Sequence, residues 1–157
     1  MKPLDLLEKI TKCLAALFLG AVFVLVIAQV ASRYLLEFSF AAASELSIYA
    51  MVWSVFLGAA VAFRSNQHIA MDIVKKLAPD GLARVFNIVI FLGLTLFLGV
   101  IVVNGYDLSM RAMRQVSPAA GLPVGYVSLA MPVCSVLALV FLIKNFVGQF
   151  RKAPHHD

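Results

Sequence analysis

The chain has 157 residues, of which 62% are hydrophobic and only 13% are charged, and its formal net charge is +5. Because a soluble domain is about half apolar and about a quarter charged, this composition excludes an ordinary soluble protein. The positive charge does not indicate nucleic-acid binding, because most basic residues fall on one side of the predicted membrane topology.

Four runs without a charged residue account for the hydrophobicity. Each run has about 18–20 residues, the length with which an α-helix crosses roughly 30 Å of hydrocarbon. The sequence therefore predicts an all-α integral membrane protein that forms one four-helix domain. The predicted transmembrane helices cover residues 13–32, 46–63, 85–106 and 126–143. The first run is too long for the apolar part of a signal peptide and lacks an A-x-A cleavage site, so we expect it to be retained.

The segments at the inner side are amphipathic. Residues 1–12 predict either a short lead-in that lies at the interface before the first helix turns into the membrane, or a plain charged segment that ends the membrane span. Apolar residues recur at helical spacing between residues 69 and 78, and Pro79 ends the pattern. We expect a helix there that lies flat on the inner leaflet. The basic residues that would contact anionic lipid headgroups are Lys75, Lys76 and Arg84.

The links at the outer side carry fewer basic residues. If the N-terminus is cytoplasmic, all but three of the 13 Lys and Arg residues lie inside, the exceptions being Arg33, Arg111 and Arg114. This bias predicts that both termini are cytoplasmic. Arg33 and Glu45 lie at the same outer boundary, and we expect them to pair with each other or with a partner. Pro118 and Pro123 make the second outer link irregular but restrained.

Small residues predict close helix packing. They are spaced so that backbones can approach each other, at Ala16, Gly20, Gly58, Ala59 and Ala62.

Catalytic, metal and cofactor sites are not indicated. His68 and Asp72 form an i, i+4 pair that offers two ligands and no third. The four runs contain no Asp, Glu, Lys, Arg or His, so the chain lacks the buried titratable group that ion coupling needs. No nucleophile lies at a fitting spacing from a base, and no phosphate-binding loop is present. We therefore predict that the protein is not an enzyme and binds no cofactor.

Three motifs carry a family resemblance. The first is S-R-Y at residues 32–34, followed by S-E-L at 44–46. The second is F-L-G-A-A-V-A-F-R-S-N-Q-H-I-A-M-D at 56–72, which holds Arg64, His68 and Asp72. The third is S-P-A-A-G-L-P-V-G-Y at 117–126, with Pro132 six residues on. With these motifs the chain resembles the small membrane subunit, the DctQ-like or Q subunit, of tripartite ATP-independent periplasmic (TRAP) transporters.

The resemblance implies a function. Such subunits are helical scaffolds of the bacterial inner membrane that bind a large multi-helix permease subunit. The large subunit carries the sodium and substrate sites and moves by an elevator-type motion. A periplasmic binding protein delivers an organic anion, such as a carboxylate or sulfonate. The second outer link, with Arg111, Arg114, Pro118 and Pro123, would face that protein, and Arg64, His68 and Asp72 would form a structural motif on the inner leaflet.

Two other classes of protein stay open on the residues alone. A stand-alone four-helix carrier would transport by itself as a homodimer. A membrane-anchor subunit of a redox complex would carry a chromophore. The absence of charged residues from the four runs disfavours the carrier, and the absence of histidine there disfavours the redox subunit.

Overall fold

A computed structural model describes residues 3–35, 41–65 and 80–151 of the chain. The predicted interfacial helix at 69–78 lies outside these ranges, as do His68, Asp72, Lys75 and Lys76. Arg84 lies within a described helix, but its side chain is outside the description. The predictions made for these residues remain predictions.

The described chain is helical, and four of its helices are long and apolar enough to cross a membrane. This confirms the predicted all-α architecture. The elements are α1 (Pro3–Leu35), α2 (Ala41–Ser65), α3 (Asp80–Ala112), the single turn α4 (Gly125–Ser128) and α5 (Ala130–Arg151). A bridge between Val116 and Pro123 is the β-type pairing of the described part.

The first helix differs from the prediction at its start. We expected residues 1–12 to form a lead-in that turns into the membrane, but α1 runs without interruption from Pro3. No glycine or proline lies between Pro3 and Gly20 to break the helix. A salt bridge between Glu8 and Lys12, one helical turn apart, also favours the helical conformation. The polar first turns therefore extend the apolar helix.

The fourth predicted helix is divided. Leu129 separates α4 from α5, and Pro132 follows three residues later in α5. Because proline has no backbone N–H, residue 132 cannot donate to the carbonyl of residue 128, which weakens the helix at this place. The helix is therefore irregular in the one turn that precedes Pro132.

The helices pack in the order α1, α2, α5, α3. The helix α1 packs along α2, α2 packs against α5, and α5 packs against α3. The central cluster consists of Leu57 and Ala60 of α2, Leu98 of α3, and Cys134, Ala138 and Leu142 of α5. Small residues in this cluster let the backbones approach closely, which is how helices associate where lipid removes the hydrophobic driving force. At the side of α1, Phe18 stacks on Trp53 with 5.9 Å between the ring centroids.

Much of the apolar surface faces outward. Large side chains such as Ile27, Leu96 and Val103 are 67%, 72% and 68% exposed. In water such a surface would favour aggregation, but in a membrane it faces lipid or another subunit. The helices α2 and α5, in the middle of the packing order, are the most buried.

Candidate functional site

Two polar clusters tie the helices together at opposite ends of α2. One is the Arg64 cluster, in the last turn of α2, and the other is the Glu45 cluster, near the start of α2. Each connects α2 to parts of the chain that are distant in sequence. Between them, α2 carries no charged residue.

The Arg64 cluster joins three helices. The Arg64 guanidinium donates from Nη2 to Asp5 Oδ1 at 2.8 Å, and its Nε forms an ion pair with Glu8 Oε2. Lys144 of α5 lies 3.6 Å from the same Asp5 oxygen. Asn145 donates from Nδ2 to the backbone carbonyl of Arg64 at 3.0 Å. The start of α1, the end of α2 and the end of α5 are therefore held at one level.

The electrostatics of this cluster are nearly balanced. Two carboxylates, Asp5 and Glu8, meet the three cations Lys12, Arg64 and Lys144. The Arg64 and Glu8 side chains are only 23% and 19% exposed, so water screens their pair less than it screens a surface pair. One guanidinium nitrogen, Nη1, is buried without a hydrogen-bond partner in the part of the chain that the structure describes.

The Glu45 cluster joins α2 to the loop at residues 113–124, which follows α3. The Glu45 Oε2 atom accepts hydrogen bonds from the Ser117 hydroxyl and from the backbone N–H groups of Ala119, at 3.2 Å, and Ala120, at 2.8 Å. Successive backbone N–H groups that converge on one carboxylate oxygen form an anion-binding nest. The Glu45 side chain of α2 thus occupies a site that the backbone of the loop forms.

The 113–124 loop is closed by its own backbone. Ser117 N–H donates to Leu122 O at 2.9 Å, Gly121 N–H to Ser117 O at 3.0 Å, and Val124 N–H to Gln115 O at 2.9 Å. Gly121 has a φ of 66°, a left-handed conformation that glycine adopts without strain. The loop is therefore a turn of defined shape.

Further bonds connect neighbouring elements between the two clusters. The Trp53 indole donates to Tyr126 O at 3.1 Å, and the Ser54 hydroxyl donates to Ala15 O at 3.1 Å. Both use neutral side chains and backbone carbonyls, which hydrogen-bond inside a membrane without the cost of a charge.

The predicted pair of Arg33 and Glu45 is not formed within the described ranges. Glu45 accepts its bonds from the 113–124 loop, and Arg33 is exposed at the end of α1. A contact of Arg33 with another protein stays a prediction.

The small residues do not pack as closely as their spacing suggested. Ala16, Gly20, Gly58 and Ala59 are exposed, and Ala62 is half-buried. A Cβ atom built on Gly20 or Gly58 meets no atom within 4 Å. In the described chain the close approach is made instead by residues such as Ala60 and Ala138.

The loop residues predicted to face a binding protein are accessible. Arg111 is 83% exposed and lies 4.0 Å from Asp107 one turn earlier on α3. Arg114 and Pro118 are exposed, and Pro123 is half-buried in its bridge to Val116. Arg111 lies in the last turn of α3, and the other three lie in the 113–124 loop that also contacts Glu45.

Asp5, Glu8 and Ser117 were not predicted as site residues. A signal for the first two was present, because Asp5, Glu8 and Lys12 stand at helical spacing in a chain with few charges. Ser117 opens the third sequence motif, but nothing in the sequence pointed to its partner Glu45, which lies 72 residues away. Within the described ranges, no group of three or more His, Cys, Asp or Glu side chains is placed to hold a metal ion.

A family model matches most of the chain. Residues 22–152 match the DctQ component of tripartite ATP-independent periplasmic transporters. The chain belongs to the DctQ family. The resemblance seen in the three sequence motifs is thereby confirmed, and the DctQ-family chain is a small permease component of a TRAP transporter and not an enzyme.

Individual relatives agree with this assignment. A protein of Haemophilus influenzae that is named a TRAP transporter small permease protein is 26% identical over 90% of this chain and 88% of its own length. The C4-dicarboxylate TRAP transporter small permease protein DctQ of Rhodobacter capsulatus is 35% identical over 73% of this chain. The protein of the same name from Vibrio cholerae is 30% identical over 52% of this chain. The matches span 52% of the Rhodobacter protein and 35% of the Vibrio protein.

Proposed function

We propose that this DctQ-family chain is the static scaffold of its transporter. It binds the large multi-helix permease subunit in the bacterial inner membrane and supports sodium-coupled, elevator-type uptake of an organic anion. A periplasmic binding protein delivers that anion. The chain itself supplies neither a coupling site nor a substrate site.

One observation carries this proposal. The charged side chains of the described helices lie near the helix ends, where those of Arg64 and Glu45 connect α2 to other helices and to the 113–124 loop, and the four apolar runs hold none. A carrier that couples transport to an ion needs titratable or coordinating groups at membrane depth. A chain whose helices are connected by polar contacts near their ends and are apolar at the centre is suited to a structural role.

The surface that would bind the large subunit is proposed on α2. Gly58 and Ala59 are exposed in the second half of this helix, and a Cβ atom at Gly58 would meet nothing in the described chain. Helices approach closely in membranes where such small residues meet another helix. We assign the same role to Ala16 and Gly20 on α1. The close helix packing that the spacing of these small residues predicts is then made with the large subunit.

The orientation follows from the distribution of charge. We propose that both termini are cytoplasmic, so that the Arg64 cluster lies at the inner boundary and the 113–124 loop at the outer one. Lys75, Lys76 and Arg84 then contact anionic headgroups, together with an interfacial helix at 69–78 that contains part of the Arg64, His68 and Asp72 motif. Arg111, Arg114, Pro118 and Pro123 face the binding protein.

The proposed substrate is an organic anion, either a carboxylate or a sulfonate. The relatives from Rhodobacter capsulatus and Vibrio cholerae are named for C4-dicarboxylate, which supports a carboxylate. Because the substrate site is proposed on the large subunit, the small subunit's residues do not select between these anions.

Affinity purification of the chain from its native membrane in mild detergent, with mass spectrometry of the proteins that accompany it, tests this function. We expect one large polytopic membrane protein in a fixed ratio to the chain. If the chain purifies alone and transports after reconstitution, it is a stand-alone carrier and the scaffold proposal is wrong. A bound chromophore would indicate the redox subunit instead.

A further inference from the structure

The carboxylate of Glu45 lies where it fixes the shape of a loop from another part of the chain. Its Oε2 atom accepts from three donors of one turn: the hydroxyl of Ser117 and the N–H groups of Ala119 and Ala120. Ser117 is only 4% exposed. Helix packing does not require this contact, because α2 is already held by α1 and α5. The contact therefore calls for an explanation in terms of the loop.

We propose that Glu45 is a positioning residue, which holds the 113–124 loop in one conformation and so presents a cationic and apolar surface to an acidic face of the periplasmic binding protein. This inference rests on the proposed function, since it assumes that the loop lies at the outer side and that a binding protein docks there. Beyond the proposed function, it names Glu45 as the residue that orders the docking surface and an acidic face as the part of the binding protein that contacts it.

The charges of this end favour an acidic partner. The negative charge of Glu45 is directed into the loop, where N–H and O–H donors stabilise it. The exposed charges described at this end are Arg33, Arg111 and Arg114 against Asp107, which lies 4.0 Å from Arg111, while Glu37, between α1 and α2, lies outside the described residues. Apolar side chains lie beside the cations, with Val116 63% and Leu122 40% exposed. An acidic patch with apolar contacts complements this surface.

The fixed backbone favours a protein over a membrane as the occupant. Attraction to anionic headgroups depends on charge and distance, so it needs no defined loop conformation. A protein interface gains affinity when its loops are ordered before binding, because less conformational entropy is lost on association. The backbone bonds of the loop, its bridge from Val116 to Pro123 and the Glu45 nest are all means of such ordering.

Loss of the Glu45 carboxylate should change the hydrogen exchange of the loop amides. Without the carboxylate, the N–H groups of Ala119 and Ala120 lose their described acceptor on α2, although Ala120 N–H keeps a 3.2 Å contact to the Ser117 hydroxyl. Hydrogen bonds to charged groups are stronger than neutral ones, so their loss raises the population of open loop conformations by about tenfold to a hundredfold. The affinity for the binding protein falls with the fraction of loops that are correctly shaped.

The experiment uses the small subunit assembled with its large permease subunit in nanodiscs. The variants are Glu45→Ala, Glu45→Gln and Ser117→Ala, the last of which removes a donor without changing α2. Asp107→Asn is the matched control, because it removes one negative charge from the same end without touching the nest. The measurements are hydrogen exchange of residues 116–122, the Kd of the transporter's own substrate-loaded binding protein, and uptake as a function of binding-protein concentration.

We expect Glu45→Ala to raise loop exchange by about tenfold or more and to raise the Kd in inverse proportion to the fraction of loops that stay correctly shaped, and Ser117→Ala to do both to a smaller extent. Glu45→Gln retains one acceptor oxygen, so its effect should lie between those of wild type and Glu45→Ala. The concentration of binding protein at half-maximal uptake should rise, while uptake at saturation and copurification of the large subunit stay unchanged. Asp107→Asn should leave loop exchange unaltered.

The proposal is overturned in distinguishable ways. Unchanged exchange in Glu45→Ala shows that the nest does not order the loop. Increased exchange with an unchanged Kd shows that the ordered loop is not the docking surface, while the scaffold function stands. A third outcome is that the wild-type complex does not bind the binding protein, and that its 113–124 loop is protected from exchange only in nanodiscs of anionic lipid. The loop surface then contacts the membrane, and the docking part of the proposed function is wrong as well.

Discussion

Replacing Arg64 by methionine should destabilise the chain. Methionine is long and apolar, so it keeps much of the packing of the arginine stem and removes the guanidinium. The substitution deletes the ion pairs of Arg64 with Asp5 and Glu8, while the bond from Asn145 reaches the backbone carbonyl of Arg64 and is retained. The start of α1 then loses its direct polar bonds to the end of α2.

The magnitude follows from the burial of the pair between Arg64 and Glu8. Exposed ion pairs contribute about 0.2–1 kcal/mol, and removal of one partner from a fully buried pair costs about 3–5 kcal/mol. The Arg64 and Glu8 side chains are 23% and 19% exposed, which places them between these limits. The buried Nη1 atom, which has no partner among the described residues, is removed as well and offsets part of the loss. We expect the free energy of unfolding to fall by about 1–2 kcal/mol, or the melting temperature by roughly 2–8 °C.

The assay is reversible unfolding of the purified chain in mixed micelles of mild detergent and dodecyl sulfate, followed by circular dichroism. Arg111→Met is the matched control, because it makes the same substitution at an arginine that is 83% exposed and lies 4.0 Å from the carboxylate of Asp107. It should change stability by about 0.5 kcal/mol or less.

A double-mutant cycle isolates the pair. Glu8→Gln combined with Arg64→Met should cost less than the sum of the single losses, because each single variant already loses the ion pair between Arg64 and Glu8 and the double variant loses it only once. Equal losses for Arg64→Met and Arg111→Met, or strictly additive losses in the cycle, would refute the assignment of the Arg64 cluster as a stabilising tie.

Three further predictions concern packing. Leu142→Ala should lower stability by about 1–3 kcal/mol in the same assay, since Leu142 is fully buried, whereas Ile143→Ala at the neighbouring, 48% exposed position should have little effect; equal losses would contradict the described core. Gly125→Ala should destabilise by about 1–3 kcal/mol, because its Cβ would lie 2.7 Å from the backbone oxygen of Ser109, while Gly99→Ala should be neutral. Gly58→Leu should leave the unfolding curve of the isolated chain unchanged and reduce the yield of the large subunit in affinity purification; wild-type yield would remove Gly58 from the proposed interface.

The number and the cores of the membrane helices were predictable because hydrophobic length is a strong signal. The ends were less predictable, since a search for uncharged runs stops at the first charge, whereas a helix stops where its backbone bonds stop. Lys12 ended the first apolar run, yet α1 begins at Pro3. Charges at helical spacing stabilise a helix as well as interrupt a hydrophobic pattern, and α1 therefore begins earlier than the apolar run.

The candidate sites were less predictable than the fold. Arg64, Glu45 and the loop prolines were singled out from the sequence, but their contacts were not. The small residues illustrate the limit: Gly58 and Ala60 lie two residues apart, and only Ala60 is buried in this chain. Spacing shows that a helix can approach another closely on some face, but the side on which it does so depends on the angle at which the helices pack.

The positions of the two polar clusters follow from the solvent in which the chain folds. Placing a charge at the centre of a bilayer costs several times more free energy than placing it at the boundary. Ion pairs and hydrogen bonds to charged groups are therefore favoured near the helix ends. Both clusters obey this rule, and both connect segments distant in sequence: 59 residues separate Asp5 from Arg64, and 72 separate Glu45 from Ser117. The apolar centre is held by close packing of small residues and by neutral hydrogen bonds, which bury no charge. In the proposed scaffold, the contacts at the two ends of α2 therefore add charge-assisted bonds to helix packing that is otherwise neutral.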